Sequence, residues 1–156
     1  MSSTGRDVFG KARVGGRIGQ LDLQTPDGPP VRLRRGGRFA TVLVRVPPDA
    51  SEELRAWLAE VDGARASFAH WDGRVVVVVA GTVEDSRALE ESTGLRLPLT
   101  IDPAGSAGEG PEDIVIVVAD RWGEVYHVAR AGNVQELPSP RELEEWLQFL
   151  ATQCPE

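Results

Sequence analysis

Three stretches of the sequence carry almost unbroken apolar and mostly β-branched side chains: residues 39–46 (FATVLVRV), 74–80 (RVVVVVA) and 114–118 (IVIVV). Each is strand-sized, and the lack of polar alternation predicts strands covered on both faces. Other stretches follow the helical period instead. Leu54, Trp57, Leu58 and Val61 stand at i, i+3, i+4 and i+7, one apolar face of a helix. Pro47-Pro48 stops the strand before it, and either Asp49 or Ser51 can cap the helix. Glu52 and Glu53 suit the positive end of its dipole. Asp62-Gly63 interrupts the pattern, and residues 64–71 continue the helix after a kink. Thr82 caps a shorter helix over residues 83–92 that Gly94 closes. The last helix has the fullest signature: Ser139 as N-cap, Pro140 at the first position and Glu142 completing a capping box. Its buried stripe is expected to be Leu143, Trp146, Leu147 and Leu150.

The more polar segments connect these elements. Residues 18–23 and 31–33 read as short strands, and Pro26-Asp27-Gly28 between them is turn chemistry, so they form a hairpin. Gly36-Gly37 ends it. Residues 95–101 are a short extended piece, followed by a loop rich in Gly, Ala and Glu. Pro111 precedes the third buried strand, Trp122-Gly123 turns the chain, and residues 124–129 return as a hairpin partner. The order is ββ, then βαβα, then ββα. Right-handed crossovers make the strand–helix–strand steps parallel, and the closing hairpin adds an antiparallel strand. The expected fold class is α/β: three layers, a mixed central sheet with helices on both faces, and an N-terminal β-hairpin. Residues 1–15 read as a flexible arm and residues 16–156 as one domain, without internal repeats.

Length and composition bound the function. A chain of 156 residues with 41% apolar content buries enough surface to fold without disulfides or metal. A net charge of −7 argues against non-specific nucleic-acid binding. All but one of the 17 basic residues are arginine, Lys11 being the exception, which fits a GC-rich genome or a preference for bidentate surface pairing. The first 16 residues lack the apolar core of a secretory signal, and no run reaches membrane-spanning length, so a cytoplasmic, membrane-free protein is expected. His70, His127 and Cys154 show no zinc-ligand spacing. Neither Gly36-Gly37 nor residues 105–110 form a phosphate cradle, so no cofactor is expected. Cys154 is the only cysteine, so the chain cannot run a two-cysteine redox cycle within itself.

The ordered set of segments resembles the thioredoxin-like superfamily, and within it the peroxiredoxin-like (redoxin-domain) proteins, over about residues 16–155. Residues 19–31 (GQLDLQTPDGPPV) are similar to the family's opening hairpin, residues 97–103 (LPLTIDP) to its short extended stretch, residues 114–125 (IVIVVADRWGEV) to its late strand, turn and strand, and Glu145-Trp146-Leu147 to its last helix. Peroxiredoxins place Pro, three residues, Thr or Ser, two residues and the attacking Cys at the start of the first core helix. Pro47, Ser51 and Leu54 occupy that frame, with leucine at the cysteine position. The thioredoxin-type cysteine pair would fall on Ser51 and Leu54. The arginine the family places before the late strand is also missing, since residues 110–113 read GPED. Glu52 and Glu53 would oppose a thiolate at the helix start.

The resemblance implies a role for Pro111, the candidate for the family's cis-proline, whose neighbouring backbone pairs with bound peptide in relatives; the alternative is an ordinary proline at a strand start. Trp122 at a hairpin tip is a candidate partner anchor, or it folds back over the sheet edge. Trp57 and Trp146 are expected in the core, and Trp71 beside a turn is expected to be exposed. Arg32, Arg34, Arg35 and Arg38 form a solvated loop or grip an acidic partner. Ser51 as a nucleophile would need a base, and only His70 or His127 could approach it. The leading expectation is a redox-inactive peroxiredoxin-like domain, leaning away from enzyme activity. It would be retained for binding a protein partner, as a subunit or assembly factor of a larger complex. The alternative is a thiol oxidoreductase that uses Cys154 in a mixed disulfide with a partner. A third reading is a homodimer built on exposed strand edges.

Overall fold

The computed structural model describes residues 12–33, 36–101 and 114–153. Five strands form one sheet in the order β5-β4-β3-β6-β7, where β3 is Ala40–Val46, β4 Gly73–Val79, β5 Leu99–Thr100, β6 Ile114–Ala119 and β7 Val125–Ala131. β4 runs parallel to both β3 and β5. β6 is antiparallel to β3, and β7 to β6, so the closing hairpin contributes two antiparallel interfaces. A separate hairpin joins β1 (Leu21–Leu23) to β2 (Val31–Leu33). The helices are α1 (Glu52–Gly63), α2 (Arg65–His70), α3 (Val83–Thr93) and α4 (Pro140–Thr152).

The continuous apolar runs become central strands for the reason their sequences suggested. Every residue of β3 and β6 is buried, and side chains alternate between two cores. Val42, Val44 and Val46 of β3 share the first core with Leu54, Trp57, Leu58 and Val61 of α1, Phe68 of α2, and Leu143 and Leu147 of α4. Leu43, Val76, Val78, Val115 and Val117 face the second core, which the β1–β2 hairpin covers with Leu21, Leu23 and Leu33. By the two-residue period of the strand, Arg45 belongs to this second face, and it is 1% exposed. α3 lies beside β5. Its Leu89 reaches the first core, and Arg87 donates to Asp27 Oδ1 and to the Pro26 carbonyl in the hairpin turn, at 3.0 and 3.3 Å. The Asp27 hydrogen bond, and then its charge, raise the Arg87 pKa.

Two polar ties fix α1 within these layers. Trp57 Nε1 donates to the Pro138 carbonyl at 2.9 Å in a buried setting, joining α1 to the lead-in of α4. At the end of α1, Asp62 Oδ1 accepts the backbone N–H groups of Arg96 and Leu97, each at 2.9 Å. That carboxylate holds the segment entering β5. The break at Ala64 between α1 and α2 is the expected kink.

Several boundaries differ from the sequence reading. The first strand is confined to Leu21–Leu23, because Ile18 donates to the Gly123 carbonyl at 2.7 Å and so pairs with the β6–β7 turn. Residues 15–18 lie along the outer edge of β7: Gly15 donates to the Val125 carbonyl and Val125 to that of Gly16, both at 2.9 Å. In α4 only Leu143 and Leu147 are fully buried. Trp146 and Leu150 are half-buried, because this side of the helix overhangs edge strand β7 and Trp146 stacks on His127 there, at 5.0 Å and 19°. A single 3-10 turn, Val134–Glu136, precedes α4 without having been foreseen.

Candidate functional site

β3 delivers the chain to Pro47 at its C-terminal end, and α1 starts five residues later. Ser51 is the cap. Its backbone is extended (φ −65°, ψ 164°), and its Oγ accepts the Leu54 N–H at 3.1 Å. Satisfying that orphan N–H is the ordinary work of an N-cap serine. Leu54 points the other way, into the first core, and is 2% exposed. The three positions of the frame are therefore brought together at one pole of the sheet, but with different fates: Pro47 half-buried, Ser51 exposed and Leu54 buried.

A second helix start adjoins the first. α3 begins at Val83 behind Thr82, which forms a capping box with Asp85: the Asp85 N–H donates to Thr82 Oγ1 at 3.2 Å, and the Thr82 N–H to Asp85 Oδ2 at 2.9 Å. A Cβ on Gly81 would run into Asp85 Oδ2 and stand 2.9 Å from Pro48 Cβ, so the two lead-ins abut. The first turns carry Glu52 and Glu53 on α1, and Glu84 and Asp85 on α3. Helix N-termini attract anions through their dipoles and free N–H groups. At this pole the side chains of Ser51, Thr82 and Asp85 already occupy such groups, and four carboxylates oppose any further negative charge. The Thr82-x-x-Asp85 spacing was legible in the sequence; that it stands beside α1 was not.

Neither histidine, both among the described residues, is placed to activate Ser51. β3 and β4 are parallel; Ser51 follows the end of β3 and His70 precedes the start of β4. Seven-residue strands separate these two poles by roughly 20 Å. His70 packs edge-on against Trp71 at 4.7 Å. His127 shares a row of the sheet with Val118 and Val42, four residues down β3 from Val46 and two strands across. Among the described residues, no cluster of His, Cys, Asp and Glu could hold a metal ion. Pro111 and Cys154 lie outside the described residues, as do Arg34 and Arg35.

Trp122 stands at the opposite pole, in the turn after β6, and is 46% exposed. Asp120 Oδ1 accepts the N–H groups of Trp122 and Glu124, both at 2.9 Å. Gly123 has φ +85°, a backbone region that favours glycine, and the Ile18 carbonyl stands 2.8 Å from where its Cβ would be. A groove of about 790 Å³ beside this turn is lined by Arg38, Trp71, Arg121, Trp122, Tyr126 and Leu150, among others. Trp71 is half-buried, and its Nε1 donates to Glu144 Oε2 at 3.2 Å. Of the arginine cluster, Arg32 pairs with Asp22 at 3.4 Å and Arg38 with Asp72 at 3.1 Å. Nearby, Arg74 faces the Phe39 ring at 5.8 Å, and burial lowers its pKa.

The described architecture, a hairpin followed by βαβα and βββα around a sheet with β3 at its centre, recurs in solved structures. A candidate thiol:disulfide interchange protein, DsbE, from Chlorobium tepidum superposes with a TM-score of 0.72 at 14% identity, covering 90% of this chain and 99% of that one. The fold is thioredoxin-like. Peroxiredoxin Q from Xanthomonas campestris matches with a TM-score of 0.67 at 13% identity, over 85% of this chain and 92% of its own. A thiol peroxidase from Chromobacterium violaceum gives 0.61 at 16% identity, over 88% and 87%. No protein-family model and no curated protein sequence matches the chain significantly. No helix among the described residues is long and apolar enough to cross a membrane.

Proposed function

We propose that this thioredoxin-like chain is a redox-inactive, peroxiredoxin-like domain that works by protein–protein interaction, as a subunit or assembly factor of a larger complex. One observation carries the reading: the position where peroxiredoxins place their attacking thiol holds Leu54, 2% exposed and packed in the first core. Its neighbour Ser51 uses its hydroxyl to cap α1. The acidic first turns of α1 and α3 add electrostatic opposition to any thiolate or peroxide anion at this pole. The intact fold around a pole without this chemistry supports retention for binding.

Peroxide turnover with a dithiol donor, and reduction of an insulin disulfide, test the first half. Both are expected to stay at the level of the buffer control, and turnover in either overturns the reading. For the second half, a tagged chain is expressed in its native host and the copurifying proteins are identified. A stoichiometric partner that stays bound under reducing conditions is expected. A partner held only under mild oxidation, and lost with Cys154→Ser, would replace this reading with a thiol-dependent one.

A further inference from the structure

Arg74 stands near the start of β4, opposite Thr41 of β3 and at the far pole from Ser51. It is half-buried and loosely held. Its Nε donates to Thr41 Oγ1 and its Nη2 to the Arg32 carbonyl, both at 3.4 Å, beyond the usual hydrogen-bond range. The other N–H groups of the fork have no partner, and no carboxylate among the described residues forms an ion pair with it. Burial alone lowers its pKa, with no neighbouring charge acting against it. A cation taken out of water without a counter-charge is unfavourable, and a bound anion relieves it.

The space beside Arg74 limits what can bind. A pocket of about 30 Å³ is lined by Leu33, Phe39, Thr41, Arg74, Asp120 and Arg121, among others. An enclosed water needs roughly 10–15 Å³, so the pocket takes about two water-sized atoms. That matches the two oxygens of a carboxylate and is too small for a phosphate. The charges of the lining agree. Arg121 lies over the Trp122 ring at 4.7 Å and has no ion-pair partner among the described residues. Asp120 keeps its negative charge while its Oδ1 accepts the Trp122 and Glu124 N–H groups. Two arginines against one aspartate leave a surplus of one positive charge in the lining. The nearby carboxylates of Asp22 and Asp72 are paired with Arg32 and Arg38, at 3.4 and 3.1 Å. Arg34 and Arg35 lie outside the described residues, and as arginines they add no negative charge.

We propose that this pocket is a carboxylate-binding site. The carboxylate meets the free N–H groups of Arg74, whose guanidinium stays 5.8 Å from the Phe39 ring, and Arg121 adds a second positive charge at the rim. An arginine fork and a carboxylate are matched in shape as well as in charge. The group comes from a small free acid or from an acidic side chain of a protein, and the recognition chemistry is the same for both. The proposal does not depend on the redox reading, and neither activity assay bears on it.

Amide and arginine Nε–H NMR spectra of the nitrogen-labelled chain are the test, with sodium acetate replacing sodium chloride at constant ionic strength. The Arg74 Nε–H and the Gly19 and Thr41 amides, which line the pocket, are expected to shift together and to saturate at millimolar acetate. Arg74→Gln is expected to weaken binding at least about tenfold. Arg121→Gln, at an exposed position, is expected to weaken it severalfold. The amide spectrum of each variant verifies its fold. A second arm uses glutamate blocked at both ends by acetylation and amidation, and the glutamine equivalent. The glutamate compound is expected to shift the same resonances and the glutamine compound to leave them in place. Tighter binding of the glutamate compound than of acetate assigns the pocket to a protein side chain, and the reverse order assigns it to a small free acid. Shifts that grow with acetate without saturating overturn the proposal. So does binding that either folded variant leaves unchanged, or a glutamine compound that binds as tightly as the glutamate one.

Discussion

Returning a thiol to position 54 tests whether this pole is closed to redox chemistry by its packing. On a Cys154→Ser background, Leu54→Cys gives a chain with one thiol, at the position of the peroxiredoxin frame. Leu54 is 2% exposed, against the first core. The substitution removes about two carbons' worth of buried apolar volume, at about 0.8 kcal/mol each, and leaves a small cavity. A loss of about 2–3 kcal/mol follows, which a domain of ordinary stability (about 5–15 kcal/mol) tolerates. The thiol then sits in apolar surroundings in the same first turn as Glu52 and Glu53, and both effects hold it protonated. A disulfide reagent can reach it only when the start of α1 opens. If that opening costs at least about 3 kcal/mol, the native thiol reacts ~10²-fold more slowly than in the denatured chain. Ser51→Cys on the same background is the control, since that position is exposed and should react at a rate near that of a free thiol. The assay is the pseudo-first-order rate with an aromatic disulfide at neutral pH, with and without denaturant. A thiol at position 54 that reacts as fast as one at position 51 would refute the packing argument, and with it the main support for redox inactivity.

Further substitutions probe the scaffold. Trp57→Phe keeps a buried ring but removes the donor to the Pro138 carbonyl; a loss of about 1–3 kcal/mol is expected in urea denaturation, and an unchanged midpoint would show that the bond contributes nothing. Gly73→Ala puts a Cβ 2.6–3.0 Å from the Leu147 side chain, so overpacking should cost about 1–3 kcal/mol. Trimming Leu147 to Ala in the same chain should give less than the sum of the two single losses, and strict additivity would count against the contact. Asp62→Ala strands the Arg96 and Leu97 N–H groups. It is expected to lower stability by about 1–3 kcal/mol and to speed amide exchange at residues 96 and 97, whereas unaltered exchange there would contradict the assignment.

The elements with strong local signals were legible without coordinates. Apolar runs without alternation marked β3, β4 and β6, and the spacing of Leu54, Trp57, Leu58 and Val61 marked the buried face of α1. Ser139, Pro140 and Glu142 marked the start of α4, and Thr82 with Gly94 marked both ends of α3. What escaped depends on contacts distant in sequence. Ile18 carries no local mark of pairing with Gly123. Trp146 falls on the helical stripe by its period, yet it overhangs the sheet edge against His127. At the candidate site, the sequence placed Ser51 and Leu54 in one frame but not on different sides of the helix start. The expected parallel pairing of β3 with β4 already put the start of α3 at the same pole, but the sequence could not show that the lead-ins at Gly81 and Pro48 abut.

The segment laid along the start of β7 has a consequence for how the chain reaches its native state. The bonds from Gly15 and Gly16 to Val125 join residues more than a hundred positions apart, so they close a long loop and form late in folding. Until they form, the beginning of β7 is a bare strand edge, able to template the β7 of another molecule. Refolding yield should therefore fall as protein concentration rises, and fall further for a chain truncated before Ile18. Gly15 and Gly16 seal the ladder with backbone alone, and so cover the edge without adding an apolar surface of their own.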